Sequence, residues 1–368
     1  MTGTRYDLIV VGGGIVGAAC ADAAVGEGLH VAIIEPGPVG GGATGASMGH
    51  LVAMPESRAA LALARYSLGL WERYAELPEA EFHRCGTLWV AREEPELATA
   101  SEHFAWLTGA GVRARMLDRE ELRRREPALS HSLAGGLLVP DDATVYPPRM
   151  AQWLVDRAAA GGARLYVGRR AQRLEGEAVL LDDGRRLQGA VLIAAGCDTA
   201  QLLPQLPLRA RKGHLLVTDR YPGVLRHQVL ELGYTEGVRG EAASSVAFNL
   251  QPRPTGQLLI GSSRELDATD AAVSRPMLRR MLERAFSFMP LLRELHALRA
   301  WTGFRPTSAD GLPYLGEADA TRRIWIAAGH EGLGVTTAFG SARILLDLFM
   351  GRTPAIDPTP YLPARVLS

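Results

Sequence analysis

Cysteine is scarce in this chain: Cys20, Cys85 and Cys197 are odd in number and far apart in 368 residues. That excludes a disulfide framework and offers no metal-ligand spacing, so no metal is expected. Net charge is missing as well. Forty basic side chains balance forty acidic ones, which leaves no global field to hold nucleic acid or an anionic membrane surface. The local clusters Arg123–Arg125 and Arg279–Arg280 fall in helix-like segments and read as solvated faces. No apolar run reaches the length of a membrane span, so no integral membrane segment is expected. Aromatic residues make up only 6% of the chain, within an apolar fraction of 47%, ordinary values for a globular protein with a sizeable core. The first strand is expected within a few residues of Met1, leaving no room for a signal peptide. These absences together point to a reduced, cytoplasmic, soluble protein.

What the chain does have begins at Tyr6–Val11, an apolar run leading directly into Gly12, Gly14 and Gly17. An Ala-rich helix and a second apolar run, Val31–Ile34, follow, and the run ends in Glu35. Strand, Gly-x-Gly-x-x-Gly turn, helix and acid-tipped strand form the dinucleotide-binding βαβ unit. Gly12 permits the tight turn, Gly14 lets the backbone approach a pyrophosphate, and Gly17 lets helix pack on strand. The helix N-terminus at Ile15 and Val16 offers free N–H groups to the phosphates, and Glu35 is placed to accept from ribose hydroxyls. Gly109–Ala114 also matches Gly-x-Gly-x-x-Ala, but it follows a helix-like stretch and has no acid-tipped strand behind it. One dinucleotide is therefore expected. The loop after Glu35 is rich in glycine and hydroxyls (Gly42, Ala43, Thr44, Ser47, then Met48, Gly49, His50 and Leu51). Such a loop can wrap a pyrophosphate and bring backbone N–H groups to an isoalloxazine ring, which points to FAD.

Further on, a helix over about 148–160 precedes a strand at Ala163–Val167, a hairpin turning at Asp182–Gly184, and a buried run ending at Gly196. Small residues at that end, Ala195 and Gly196, suit the close passage of a cofactor. Residues from about Leu215 to Leu298 are β-rich with one helix, Arg275–Phe288. The expected fold is α/β plus α+β: a Rossmann-like FAD-binding domain interleaved with a substrate domain built on an antiparallel sheet with helices. The expected boundaries are 1–80, 145–214 and 299–368 for the first domain, and 81–144 and 215–298 for the second.

Gly12–Glu35, the Gly40–Leu51 loop, the strand ending at Gly196 and the Trp301–Thr337 block occur in the order seen in the D-amino-acid oxidase-like FAD oxidoreductases. The chain resembles that superfamily, which includes glycine oxidase, sarcosine oxidase and D-amino-acid dehydrogenases, over essentially its whole length. Within it, Gly45–Leu51, Leu259–Arg264, Trp301–Arg305 and Gly329–Thr336 look most like bacterial D-hydroxyproline dehydrogenases and related imino-acid dehydrogenase subunits.

The resemblance implies FAD-dependent oxidation of a D-amino or imino acid at Cα–N, with cis-4-hydroxy-D-proline as the favoured substrate. Arg305 occupies the family's carboxylate-binding position, a role suited to a planar guanidinium fork. His330 is the candidate catalytic partner of Arg305. For His50 and His330, contact with flavin or substrate and packing within the loop both fit. Tyr234, Asn249 and Ser263, with His50, are the candidate substrate contacts. Ala171, Gly303, Gly329, Gly332, Leu333, Gly334, Val335 and Thr336 complete the expected FAD contacts. The glycines before the last helix are placed to stabilise negative charge at the flavin's pyrimidine edge. No cysteine falls in the His50 or Gly329 loops, so FAD is expected to be non-covalent. The electron acceptor (quinone, electron-transfer protein or oxygen) is left open. An oxidase for glycine, sarcosine or a D-amino acid is the alternative. So is a flavin subunit working with small iron–sulfur partner chains, or a homo-oligomer. An acceptor in the membrane would make the chain peripheral to the inner membrane.

Overall fold

A computed structural model of the chain describes residues 5–54, 56–233, 244–268, 270–319, 321 and 323–367. The first strand, Arg5–Val11, lies at the centre of an eight-stranded sheet. Its parallel neighbours are Val31–Glu35 on one side and Arg186–Ile193 on the other. Arg164–Val167 and Ile324–Ala328 extend the parallel set, and Tyr314–Glu317 closes one edge antiparallel. The expected hairpin is present: Ala178–Leu181 pairs with Arg186–Ile193 across the turn at Asp182–Gly184. Both faces of the central strands are covered, so they read as continuous apolar runs rather than as alternating ones.

Three helices, Ile15–Gly26, Pro147–Ala160 and Gly334–Phe349, pack in one core over one face of this sheet. The first is buried along most of its length and carries Ala18, Ala19, Ala21 and Ala24, whose small side chains let it lie close to sheet and neighbours. Cys20 is sealed among them, and burial pushes its thiol up to about 12. Burial also raises Cys85 and Cys197 to about 11, so none of the three is a ready thiolate.

The second sheet also has eight strands. Its order is Ala297–Ser308, Leu208–Arg220, Gln257–Leu266, Ser244–Pro252, Gln228–Glu231, Thr87–Ala91, Gly135–Val139 and Arg115–Asp118. The pairing differs from the all-antiparallel expectation at one joint, where Gln228–Glu231 runs parallel to Thr87–Ala91. These two strands come from separate excursions of the chain, so no hairpin dictates their relative direction. One face packs under the helix Arg275–Phe288, which buries Met277, Met281, Ala285 and Phe288. Phe288 stacks on Phe248 of the sheet at 4.5 Å. Ser274 caps this helix by accepting from Met277 N–H. The opposite face, with Trp89, Leu137 and Leu230, packs against Val52, Ala53 and Met54 of the segment leaving the first sheet. A short ribbon, His50–Leu51 with Ala143–Thr144, also joins the two regions.

Among the described residues no helix is long and apolar enough to cross a membrane. No group of three or more His, Cys, Asp or Glu side chains among them could hold a metal ion.

The glycine fingerprint is held by contact as well as by torsion. Gly12 has φ of +116°, and a Cβ there would meet Ala194 O at 2.4 Å. A Cβ on Gly17 would lie 2.0 Å from Gly12 O, where only rigid backbone could give way. Gly17→Ala is therefore expected to lower stability by about 1–3 kcal/mol, measured as a lower urea midpoint at unchanged slope.

Candidate functional site

The first part of the site is the turn between Arg5–Val11 and Ile15–Gly26. Glu35, at the end of the neighbouring strand, accepts from Gly13 N–H at 2.7 Å and from Gly37 N–H at 2.8 Å. Its carboxylate thereby stands beside the glycine turn, as a ribose acceptor requires. The loop after it folds back over the helix start: Gly40 N–H donates to Gly13 O at 3.0 Å, and Thr44 Oγ1 accepts from Ile15 N–H at 3.0 Å. The first-turn amides at Val16 and Gly17 have no intrahelical acceptors and stand at the positive end of the helix. Gly14, Val16, Ala195 and Gly196 are partly accessible, Gly42 and Ala43 are exposed, and a Cβ at Gly42 or Gly196 would meet nothing within 4 Å. Donors, acid and open glycine backbone all fit a dinucleotide.

From there the loop crosses the second sheet, setting alternate side chains onto successive strands. Ala46 lies on Gly303 so closely that a Cβ at Gly303 would come 2.3 Å from that of Ala46. Trp301 Nε1 donates to Ala46 O at 3.3 Å. Met48 packs in an apolar patch with Leu215 and Leu259 and lies against Gly261. His50 meets Asn249 through Nε2 at 3.0 Å and Gln228 through Nδ1 at 2.5 Å. Gly49, at φ +79°, permits the turn between Met48 and His50, and Leu51 is fully buried beyond it. Thr336 Oγ1 donates to His50 O at 2.9 Å and so ties the loop to the last helix.

Arg305 lies half-buried on the strand Ala297–Ser308, directly opposite Arg211. The two guanidiniums differ in their partners. Arg211 faces Glu331 at 3.4 Å. Arg305 donates from Nη1 to Ser263 O at 3.2 Å and has no carboxylate partner among the described residues. Gly213 leaves it room, since a Cβ there would sit 2.6 Å from Nη1. An uncompensated planar fork of this kind is a receptor for a carboxylate. The Gly329–Gly334 loop runs beside it, with Glu331 N–H donating to Pro306 O at 3.0 Å. Gly332 is exposed, Leu333 and Gly334 are partly accessible, and the last helix starts at Gly334, so that glycine lies within its first turn rather than before it. Val335 is turned inward, where its carbonyl accepts from Trp71 Nε1 at 3.2 Å.

Other expected residues fall elsewhere. The His330 imidazole is 5% exposed and pairs through Nε2 with Ser341 Oγ at 3.0 Å on the last helix. It is a loop-packing histidine in this geometry, not the catalytic partner expected for Arg305. Ser263 offers substrate no hydroxyl contact: its Oγ accepts from His214 N–H at 2.9 Å and meets His214 Nδ1 at 2.9 Å. A register shift between Lys212 and Leu216 turns Ser263 toward His214, while Gly261 faces Met48. Ala171 opens the outer hairpin strand and packs with the Ala195 cluster. Tyr234 lies outside the described residues.

Sequence reasoning missed Gln228, Gln251 and Arg253. Gln228 and Gln251 are fully buried beside His50, and Arg253 donates to Val145 O at 3.0 Å. A signal existed in Phe248–Gln251, where polar residues alternate with apolar ones, and in Gln228–Glu231, where two polar residues flank an apolar pair. Burial, opposed by the bonds to Gln228 and Asn249 and reinforced by the charges of Arg253 and Arg305, pushes His50 down to about 4.

Burial also pushes His330 down to about 4, whereas in the unfolded chain a histidine takes its proton near about pH 6.5. Between these values the unfolded state binds more protons, so stability falls as pH drops through 6.5 toward 4. Going from about pH 7.5 to about pH 5 should therefore cost the wild type about 2 kcal/mol more than His330→Gln, read from urea unfolding of both.

Residues 7–348 match the family model described as DAO, FAD dependent oxidoreductase. The glycine oxidase of Geobacillus kaustophilus is 30% identical, with 97% of this chain and 96% of that protein covered. The hydrogen cyanide synthase subunit HcnC of Pseudomonas aeruginosa is 29% identical, over 98% of this chain and 96% of that one. The crystal structure of the Geobacillus glycine oxidase superposes with a TM-score of 0.87 at 28% identity, covering 99% of this chain and 98% of that chain. The L-proline dehydrogenase of P. horikoshii shares the fold, with a TM-score of 0.90 at 21% identity over 99% and 98% of the two chains.

Proposed function

The chain belongs to the DAO family of FAD-dependent oxidoreductases, and from that premise we propose that it oxidises a small amino or imino acid at its Cα–N bond to the imine. The observation that carries the reading is Arg305, the guanidinium beside the glycine loops that lacks a carboxylate partner among the described residues. Glycine oxidase relatives at up to 30% identity support an amino-acid substrate. The resemblance of the Gly45–Leu51 and Trp301–Arg305 motifs favours cis-4-hydroxy-D-proline, taken by a dehydrogenase.

The residues divide the work. Glu35, the amides at the start of Ile15–Gly26, and the Gly42–Thr44 loop would hold the dinucleotide, and the exposed backbone of Gly332–Gly334 would face the ring system. FAD, when bound, supplies the two-electron acceptor. Arg305 binds the substrate carboxylate and thereby orients Cα. Met48, Leu215, Leu259 and Trp301 form an apolar wall that keeps water from the reacting carbon. The charges acting on His50 are Arg253 and Arg305, both cationic. A substrate nitrogen near His50 is therefore favoured as the free base, the form that can give up electrons. His50 is neutral across the working pH range and adds no further charge.

A second reading, a flavin subunit within a hetero-oligomer, is favoured by the similarity to HcnC, a synthase subunit. Dye-linked turnover by the purified single chain would exclude a requirement for partners, and stoichiometric hydrogen peroxide would identify an oxidase.

Anaerobic addition of cis-4-hydroxy-D-proline, D-proline, glycine, sarcosine and other amino-acid enantiomers should bleach the flavin absorbance with at least one of them. A spectrum unchanged by all of them sinks the proposal. Arg305→Ala should retain FAD and lose about 10²–10³-fold in kcat/KM, mostly through KM, as expected when a two-bond charged clamp is removed. Arg305→Lys should recover part of that loss.

A further inference from the structure

Three neutral side chains, Gln228, His50 and Asn249, form a hydrogen-bonded run with a fixed direction. The carbonyl of Ala143 can only accept, so Gln228 presents Nε2 to it, at 3.2 Å. Gln228 therefore turns Oε1 toward His50 Nδ1, 2.5 Å away, and that nitrogen carries a hydrogen. Since His50 is neutral, its Nε2 holds a lone pair and accepts from Asn249 Nδ2 at 3.0 Å. Asn249 is left with its oxygen pointing onward. The residue is 2% exposed, and Oδ1 has no hydrogen-bond partner among the described residues. Gln251 is not part of this order. Its Nε2 approaches His50 Nδ1 at 3.4 Å, where a hydrogen is already in place, and its Oε1 also lacks a partner among the described residues.

The residue that carries the orphaned oxygen adjoins the candidate site. Asn249 sits opposite Gly261, which faces Met48 and Leu215, and the Arg305 charge reaches the His50 ring bonded to Asn249. A buried amide oxygen without a donor is costly, and with the cations Arg253 and Arg305 already acting on the His50 ring, a neutral donor suits it better than an ammonium.

We propose that Asn249 Oδ1 is a directional acceptor for a neutral O–H or N–H of the substrate, with Gln228 and His50 as positioning residues that set its polarity from the Ala143 carbonyl. The proposal rests on the amino-acid reading above and narrows its substrate class. The donor is either a side-chain or ring hydroxyl, or the free-base nitrogen at Cα.

The test uses the FAD-loaded enzyme and matched substrates: cis-4-hydroxy-D-proline with D-proline, and D-serine with D-alanine. If the hydroxyl is read, Asn249→Leu lowers kcat/KM roughly 10–100-fold for the hydroxylated member of a pair only, and the wild-type preference collapses. If the nitrogen is read, every substrate loses by a similar factor. An Asn249→Leu protein that binds FAD and keeps every kcat/KM within about twofold of wild type overturns the subsite. An independent arm needs no substrate: ¹⁵N spectra of the imidazoles, with His50 assigned by comparison with His50→Gln. The expected wild-type signal is the neutral Nδ1–H tautomer, shifting toward Nε2–H in Gln228→Met. A wild-type Nε2–H tautomer overturns the polarity argument. A flavin that no amino acid bleaches removes the amino-acid reading and the subsite with it, whereas bleaching indifferent to Asn249 removes the subsite alone.

Discussion

The site depends on one contact, the crossing of residues 46–50 over a face of the second sheet. Ala46 can lie on the strand Ala297–Ser308 because Gly303 has no side chain there. That contact fixes the height of the loop above the sheet, and the left-handed turn at Gly49 carries it onward, with Met48 on Leu215 and Leu259, and His50 on Gln228 and Asn249. The same loop begins at the dinucleotide turn, where Thr44 accepts from Ile15 N–H. A single segment therefore couples the position of the cofactor to the position of the substrate surface. A side chain at Gly303 would not merely crowd the contact; it would lift the loop and shift every group placed by it.

Electrostatics at the site are set by an asymmetry between two equivalent-looking arginines. Arg211 and Arg305 face each other across paired strands, and two unpartnered guanidiniums so placed would repel. Glu331 relieves this by pairing with Arg211. It does so from a strained position, at φ +50°, held by its N–H to Pro306 O. The glycine loop before the last helix thus has a task besides the flavin contact proposed for it: it carries the counter-ion of Arg211 and leaves Arg305 as the open charge.

How much of this was legible in the sequence follows the range of each interaction. The dinucleotide turn was readable because its signals are local: glycine spacing, a strand on either side, and an acid at the end of the second. The hairpin at Asp182–Gly184 was readable for the same reason. Ser263 was misplaced because simple alternation would put it on the face of Gly261, and the register shift that turns it away is a property of the pairing with the neighbouring strand. His330 was ambiguous because a glycine-rich loop does not say which way its side chains point. Its partner, Ser341, is one helical face further along, and only the packing of that helix shows it. Gln228 and Gln251 left a trace, as polar residues in apolar strands, but their meeting point at His50 is purely tertiary.

The choice of substrate is the least local property of all. Every amino acid has a carboxylate, so the clamp proposed at Arg305 would admit the whole class and could not choose within it. The apolar patch of Met48, Leu215 and Leu259 sorts by size, which separates neighbouring substrates only weakly, since one methylene is worth about 1–3 kcal/mol. Strong discrimination comes from a buried polar group that is left unpaired by the wrong ligand. Around His50 the direction of such a group is set by a backbone carbonyl at Ala143 and passed through two side chains before it reaches Asn249. Changing any one of these residues can reverse or break the order without touching the fold, the glycine turn or Arg305. This is why relatives with 25–30% identity over nearly the whole chain can share an architecture closely and still leave the substrate to be argued from three neutral side chains.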